Sequence, residues 1–268
     1  MKGMKYTLIT GASEGLGREF AKIAACEGKN LILVARGREK LVQLQRHFKK
    51  RYGISCLVFV QDLSKEDAAD LLFSEVQKRG IFVEALINNA GFGHFGIFVD
   101  TSWEVQKQLL TLNMVTLAHL CHLFGGEMKK RGEGKILNVA SVAAYFPGPR
   151  LSTYYASKAF VLSFSLALSR EMAPFHVTVT ALCVGPVATG FERHAGMKKS
   201  NMFRLLPPAK AGAVAKRGYL AMVKGKPMAD YDWLAKGLNL AGRLFGRNWA
   251  GMLSGFANTC FKAQGEKK

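Results

Sequence analysis

The sequence TGASEGLG (residues 10–17) lies near the start of the chain, directly after the short apolar run at residues 6–9. That run has the composition of a β-strand, and the residues that follow the glycines have the apolar spacing of an amphipathic helix. Gly11, Gly15 and Gly17 therefore fall in a strand-to-helix turn. Glycine lets a ligand approach the backbone closely, and a helix N-terminus presents unpaired N–H groups and partial positive charge. The segment predicts a phosphate-binding turn, although these residues alone leave an ordinary tight turn open.

The rest of the chain repeats this alternation of strand and helix. Strands are predicted at residues 6–10, 30–35, 55–60, 84–88, 135–141 and 176–183, and helices at residues 16–27, 39–51, 65–79, 103–131 and 153–172. Successive parallel strands need helix-length connections, so the pattern predicts an α/β fold: a doubly wound, Rossmann-type parallel sheet in a three-layer αβα arrangement. We expect a single domain over residues 1–230, with a substrate lid at 191–226 and a C-terminal helical extension at 231–268. The proline and aspartate in GKPMADYDW leave room for only a short last strand.

Composition is typical of a globular protein with reduced thiols. Hydrophobic residues make up 49% of the chain and charged residues 21%, which excludes a disordered polar chain. Five scattered cysteines without a C-x-x-C pair predict a cytoplasmic location. Of the net charge of +19, residues 191–268 carry +11 and residues 1–190 carry +8, which favours an anionic ligand or surface. No nucleic-acid-binding motif accompanies this charge, so we expect no nucleic-acid partner.

Tyr154 and Lys158 are the candidate acid–base pair, in the sequence YYASK. Residues four apart share one face of a helix, so the phenol and the ammonium group can converge on one ligand. A neighbouring cation stabilises a phenolate, so we expect Lys158 to lower the pKa of Tyr154 toward a value suited to acid–base catalysis. Tyr155 competes for this role, but the residue four positions after it is Ala159.

Three further features accompany the glycine turn and this pair: NNAG at residues 88–91, Asn113 in LTLNMVT, and Ser141 in LNVASVAA. In this order and at these intervals the motifs closely resemble the classical short-chain dehydrogenase/reductase family, from about residue 5 to residue 189. Within the family the chain looks most like the 3-oxoacyl reductase and hydroxysteroid dehydrogenase-type branch with a C-terminal extension.

The resemblance implies a role for each catalytic residue. Tyr154 would protonate a carbonyl oxygen as hydride arrives from a nicotinamide, and Ser141 would hydrogen-bond the same oxygen. Lys158 would hold the nicotinamide ribose and tune Tyr154, and Asn113 would steady a water in the proton relay. The alternative is a catalytically silent NADP-binding regulatory or scaffold protein, which would have no need of Tyr154.

The resemblance also implies a set of dinucleotide contacts. These are Gly11, Ser13, Glu14, Gly15, Leu16, Gly17, Arg36, Asp62, Leu63, Asn89, Ala90, Gly91, Tyr154, Lys158, Pro186, Val187 and Thr189. The second strand ends at Arg36 instead of at a carboxylate, which favours binding of the 2′-phosphate of NADP(H) over binding of NAD(H). The alternative is that Arg36 is a solvated charge in a loop and contacts no dinucleotide. Glu14 either points inward, where it would weaken phosphate binding, or pairs with Arg36 or Arg38.

Three aromatic-rich segments, at residues 92–98, 144–149 and 191–208, predict an apolar wall on the substrate side. With the resemblance, this favours a lipophilic carbonyl substrate: a 3-oxoacyl thioester first and a steroid-like ketone second. Packing in the core is the alternative for these aromatic residues. His119 and His122 share a helix face without a third ligand, so we expect no metal site.

The C-terminal extension has cations on one face of a helical pattern and apolar residues on the other. We expect this segment to pack on the core or on a partner subunit, with peripheral contact to an anionic membrane as the alternative. The family resemblance further implies a homodimer or homotetramer, assembled through the predicted helices at 103–131 and 153–172.

Overall fold

The computed structural model describes residues 4–191, 195–196, 208–231 and 237. Within them, seven strands form one parallel sheet: β1 (Lys5–Thr10), β2 (Asn30–Ala35), β3 (Cys56–Val60), β4 (Phe82–Asn88), β5 (Gly134–Val139), β6 (Val177–Cys183) and β7 (Met228–Asp230). The strand order is β3-β2-β1-β4-β5-β6-β7. The direction of winding therefore reverses between β1 and β4, which is where open α/β sheets form their ligand crevice.

The helices cover both faces of the sheet. They are α1 (Gly15–Cys26), α2 (Arg38–Tyr52), α3 (Ala68–Lys78), α4 (Trp103–Leu110), α5 (Leu117–Arg131), α6 (Ser152–Met172) and α7 (Ala211–Val223). Successive strand residues contribute to opposite faces: Ile9 packs with α1, α2 and α7, whereas its neighbour Leu8 packs with α3, α5 and α6. This confirms the doubly wound, three-layer αβα sheet expected from the sequence.

The predicted helix at residues 103–131 is continuous, but it is not a regular α-helix throughout. Between α4 and α5, residues Thr111–Thr116 form a wider π-helical turn. The Asn113 side chain lies in this turn and is 1% exposed. Its hydrogen bonds run to the backbone of Phe92 and to Ser157, outside its own helix. π-Turns of this kind occur mostly as short insertions, frequently at functional sites.

By length and composition, the stretch Trp103–Arg131 is the one helix in the described part of the chain that qualifies as a candidate membrane span. Half of the most apolar part of this stretch is buried inside the fold, where α5 packs on β4, β5 and α3. A core helix of a folded domain satisfies the same criteria, so this stretch is accounted for by its packing.

The last strand, β7, has three residues, in keeping with the short strand expected there. The predicted lid and extension lie largely outside the described residues, because positions 192–194, 197–207, 232–236 and 238–268 are not among them. The division into a domain, a lid and an extension therefore stays a prediction.

Candidate active site

A cleft of about 930 Å³ runs along the carboxyl ends of strands β1 to β6. Most of the residues expected to contact a dinucleotide or to act in catalysis line it. They are Gly11, Ser13, Glu14, Gly15, Leu16, Arg36, Asp62, Leu63, Asn89, Ala90, Gly91, Ser141, Tyr154, Lys158, Pro186, Val187 and Thr189. Gly17 and Asn113 lie behind this lining, where they support it.

The glycine turn is shaped by two backbone positions and one close approach. Gly11 and Gly15 have φ angles of +64° and +55°, a region that favours glycine. A Cβ on Gly17 would lie 2.1 Å from the carbonyl oxygen of Gly11, so Gly17 lets α1 begin directly against the turn. The Glu14 side chain makes no capping bond to the first turn of α1. The N–H groups at this helix start fit a phosphate, as the sequence predicts.

Asn89 braces the turn from the neighbouring strand. Its side-chain N–H donates to the carbonyl oxygens of Thr10 at 2.9 Å and of Gly11 at 3.2 Å. The Thr10 hydroxyl in turn accepts from the backbone N–H groups of Asn89 and Ala90, each at 3.0 Å. Asn89 thus holds the end of β1 against the end of β4, and its side-chain N–H is committed to that task.

Positive side chains gather at the far end of the cleft, beyond β2. Arg36, Arg38 and Lys40 all line it. Lys40 donates to Glu14 at 2.8 Å, a partner that the sequence analysis did not consider for this carboxylate. Glu14 and Lys40 are 26 residues apart, and only the docking of α2 beside the glycine turn brings them together. A carboxylate held by a lysine repels a nearby phosphate less than an unpaired one would.

Asp62 follows β3 at the same end of the cleft. Partial burial acts to raise the pKa of its carboxyl group, but two hydrogen bonds from Ser64 and the charges of Arg36 and Lys65 outweigh burial and hold the pKa below its usual value. Both Ser64 bonds go to Oδ1, from the backbone N–H at 3.0 Å and from the hydroxyl at 2.8 Å. Asp62 therefore stays ionised and well oriented near neutral pH.

Ser141, Tyr154 and Lys158 meet at the inner end of the cleft. Lys158 and Tyr154 lie one turn apart on α6, and the Lys158 Nζ is 5.8 Å from the centre of the Tyr154 ring. Lys158 is 7% exposed and donates to the carbonyl oxygen of Val139 at 2.8 Å. Burial lowers its pKa to about 8. This amine is therefore close to titrating at physiological pH, in contrast to an ordinary surface lysine.

The expectation that the pKa of Tyr154 is lowered is wrong: the fold raises it. Burial raises the pKa of Tyr154 to about 12, and a hydrogen bond with Ser141 only partly opposes this rise. Desolvation acts on the full charge of the phenolate, whereas the Lys158 ammonium is directed at the Val139 carbonyl. Tyr154 is accordingly a neutral phenol, which is the form that donates a proton.

Asn113 links three parts of the site from behind. Its Nδ2 donates to the Phe92 carbonyl at 2.9 Å and to the Ser157 hydroxyl at 3.0 Å, and its Oδ1 accepts from the Phe92 N–H at 3.1 Å. A Cβ on Gly91 would lie 3.0 Å from Asn113 Oδ1 and 3.7 Å from Lys158 Nζ. Gly91 therefore keeps the space between the amide and the ammonium open.

Phe191 packs on the Tyr154 phenol at the inner end of the cleft. Its ring centre lies 5.4 Å from that of Tyr154, and its edge approaches Gly93. The Phe95 N–H donates to the Ala195 carbonyl at 2.9 Å, which ties the chain after β6 to the chain after β4. Of the predicted aromatic wall, Phe92 and Phe191 line the cleft. The wall residues at positions 197–207 lie outside the described residues.

Tyr145 does not belong to that wall. Its hydroxyl donates to Asp230, 85 residues away, and its ring packs on the core beneath the sheet. Two other contacts were also missing from the sequence interpretation: the Val139 carbonyl that holds Lys158, and Ser157, which holds Asn113. Of these two contacts, only Ser157 lies in a stretch that the sequence already singles out, since it belongs to YYASK. Within the described residues, no group of three metal-binding side chains occurs.

Comparison with known proteins agrees with this geometry. A family model described as short chain dehydrogenase matches residues 5–200. The very-long-chain 3-oxoacyl-CoA reductase of Pyrenophora tritici-repentis is 34% identical over 192 residues, covering 70% of this chain and 56% of that protein. The enzyme of the same name from Neurospora crassa is 32% identical over 228 residues, covering 84% of this chain and 67% of that protein. The chain thus spans between about half and two thirds of the length of these relatives.

Solved structures with the same fold cover nearly the whole chain. A short-chain dehydrogenase from Sphingobium yanoikuyae, in complex with NADPH, matches with a TM-score of 0.79 and 26% identity over 98% of both chains. A 7beta-hydroxysteroid dehydrogenase matches with a TM-score of 0.84 over 93% of this chain and 96% of that chain. Its identity is 22%, so this second likeness concerns the fold alone.

Proposed function

Because this chain belongs to the short-chain dehydrogenase family, we propose that it transfers a hydride between NADP(H) and a ketone or the corresponding secondary alcohol. The observation that carries the proposal is the meeting of Ser141, Tyr154 and Lys158 at one end of a cleft whose other end holds a glycine turn and three cations. The bound dinucleotide supplies the hydride. A carbonyl compound that enters between Phe191 and Tyr154 reaches the inner end of this cleft.

Each of the three residues has a task that its surroundings support. Tyr154 is protonated at neutral pH because its pKa is about 12, so it gives its proton to the carbonyl oxygen during reduction. The Ser141 hydroxyl lies beside that phenol, and by rotating away from the Val184 carbonyl it donates a hydrogen bond to the same oxygen. The Lys158 ammonium, held by the Val139 carbonyl, stabilises the phenolate that forms once the proton has left.

Turnover with and without the Tyr154 hydroxyl tests this proposal. We expect NADPH consumption with 3-oxoacyl thioesters or lipophilic ketones, and a loss of about 100-fold or more in kcat for Tyr154→Phe, because general acid catalysis is removed. Tyr155→Phe is the matched control, since it removes one hydroxyl from the adjacent helix position, and it should retain activity within a few fold. Tight NADPH binding without turnover on any carbonyl compound would favour the silent binding protein instead.

The preference for NADP(H) is supported by Arg36, directly after β2, with Arg38 and Lys40 beside it. A planar guanidinium group matches a phosphate geometrically. We expect Arg36→Gln to raise the Kd for NADPH at least about tenfold and to change the Kd for NADH far less. Arg46→Gln, an exposed α2 position away from the cleft, is the control for general charge loss. Equal weakening of both dinucleotides would argue against a 2′-phosphate contact at Arg36.

A lipophilic carbonyl substrate is supported by the apolar residues Phe92 and Phe191 at the inner end of the cleft. The names of the two curated relatives described above support a 3-oxoacyl thioester in particular. A steroid-like ketone is the second choice. Comparing thioesters of increasing chain length with steroid ketones, at a fixed NADPH concentration, distinguishes the two classes.

We further propose a cytoplasmic homodimer or homotetramer. Trp103 and Val115, both on the long helical segment expected to form the subunit contact, are 63% and 59% exposed. Covering these two side chains with a second subunit would remove their apolar surface from water. Light scattering at working concentration tests this, and a monomer would contradict it. Packing or membrane contact of the C-terminal extension concerns residues outside those described.

A further inference from the structure

Ser141 opens a short 3-10 turn that ends at Tyr145. The turn spans Val142–Tyr145, and Ser141 is its N-cap: the Ser141 Oγ accepts from the Ala143 N–H at 3.1 Å and donates to the Val184 carbonyl at 3.2 Å. The direction in which the Ser141 hydroxyl points therefore depends on how this turn lies. One end of the turn is fixed by the β5–β6 ladder, and the other end has to be fixed elsewhere.

The far end of the turn is fixed by Tyr145. Its phenol donates to Asp230 Oδ1 at 2.5 Å, and its partly buried ring packs against the core on the α3, α5 and α6 side of the sheet. Burial, together with the nearby Cys183 and Asp230, raises the pKa of Tyr145. The phenol consequently stays protonated throughout the physiological range and continues to donate.

Asp230 is itself held in place. It is the last residue of β7, paired in register with Cys183, and its carbonyl accepts from Arg217 Nε at 2.7 Å. The next residue, Tyr231, donates its N–H to the Cys183 carbonyl at 3.2 Å. The Tyr145–Asp230 bond therefore joins the Ser141 turn to the edge strand of the sheet. Of the described residues, neither Tyr145 nor Asp230 lines the cleft, so the bond acts on the site indirectly. The turn is one route, and Cys183, which interacts with both Tyr145 and Lys158, is the other.

We propose that Tyr145 and Asp230 are positioning residues, which hold the turn after β5 so that the Ser141 Oγ stays beside the Tyr154 hydroxyl. This inference rests on the proposed carbonyl reduction. It makes the edge strand β7, which directly precedes the C-terminal extension, part of the support of the reaction centre.

A double-mutant cycle tests the proposal. We expect Tyr145→Phe to lower kcat about tenfold while the KM for NADPH stays within twofold, because the dinucleotide end of the cleft is untouched. In a Ser141→Ala background the same change should have almost no further effect, because the group it positions is gone. Asp230→Asn, which keeps an acceptor oxygen for the phenol, should retain most of the activity. Independent, additive losses in the double variant would overturn the proposal.

Tyr219→Phe is the matched control. The Tyr219 hydroxyl donates to Glu27 Oε2 at 3.0 Å, a phenol–carboxylate bond between α7 and the end of α1. Its loss should change kcat no more than twofold. A tenfold loss of kcat here as well would mean that any such bond affects activity through stability alone.

A second measurement needs no substrate. The ¹³Cζ resonance of Tyr154 in tyrosine-labelled protein, assigned by its disappearance in Tyr154→Phe, responds to the hydrogen bond at its hydroxyl. It should shift in the same direction in Tyr145→Phe and in Ser141→Ala, with no further change in the double variant. An unchanged resonance in Tyr145→Phe would overturn the positioning role, even if no carbonyl compound were turned over and the proposed function had failed.

Discussion

At the scale of single residues, Lys158 carries a cost in stability that depends on pH. Its pKa falls from 10.5 to about 8 on folding, so between these values the unfolded chain binds a proton that the folded protein has lost. Stability therefore rises with pH across this window, and the burial cost of roughly 3 kcal/mol is fully present below pH 8. The Lys158 charge that the proposed reaction uses therefore lowers the stability of the folded protein.

We expect Lys158→Met to abolish carbonyl reduction and yet to stabilise the protein by about 1 kcal/mol at pH 7. The variant no longer buries a charge, but it leaves the Val139 carbonyl without its donor, which offsets part of the gain. By pH 10.5 this gain should be gone. Urea unfolding at both pH values measures the difference, with Lys50→Met on the exposed face of α2 as the control. A gain that does not change with pH would contradict the lowered pKa.

Residue identities could be assigned from the sequence more readily than residue environments. The helical spacing placed Tyr154 and Lys158 on one face of α6 correctly. The sign of the Tyr154 pKa shift could not be deduced from that spacing, because burial depends on the whole fold and outweighs one neighbouring charge. The sequence predicts that Glu14 either points inward or pairs with Arg36 or Arg38. The ion pair with Lys40 depends on how α2 docks beside the glycine turn, which the local sequence does not show.

At the scale of elements, the start of α1 depends on Gly17. A Cβ there would lie 2.1 Å from a backbone oxygen, which has no freedom to move aside. We expect Gly17→Ala to destabilise the protein by roughly 2–4 kcal/mol and to weaken NADPH binding, because the turn and the helix start must separate.

Gly126→Ala in α5 is the matched control for that substitution. A Cβ at Gly126 meets nothing within 4 Å, and the position lies inside a helix. It should stabilise the protein by about 0.5–1 kcal/mol, since alanine is the better helix former. Thermal unfolding of both variants, with dinucleotide titrations, gives the comparison. Equal effects of the two substitutions would show that the close approach at Gly17 does not matter.

Strands and most helices were predictable because their apolar patterns have simple periods. The π-helical turn at Thr111–Thr116 was not, since its apolar residues fit the pattern of the helix around it. What distinguishes it is a set of side-chain bonds from Asn113 to residues 21 and 44 positions away. A pattern read along one helix contains no information about such partners.

At the scale of the whole molecule, the sequence predicted where the site assembles, because the carboxyl ends of parallel strands meet at one edge. It could not predict the supports that reach this edge from a distance. The sequence places Tyr145 in the substrate wall because it belongs to the aromatic-rich segment at residues 144–149. Its partner Asp230 lies within hydrogen-bonding distance only because β7 pairs with β6 at the edge of the sheet.

Phe191 has a consequence for the rate of the reaction. Its ring lies against Tyr154, and the chain beyond it is tied to Phe95 through Ala195. We therefore expect a carbonyl compound to displace this aromatic ring on entry and again on departure. When such a movement is slower than the chemistry, bond breaking no longer limits turnover. We expect NADPH deuterated at the transferred position to give almost no isotope effect on kcat, and Phe191→Ala to uncover one. A full isotope effect in the unaltered protein would mean that the ring moves aside faster than hydride is transferred.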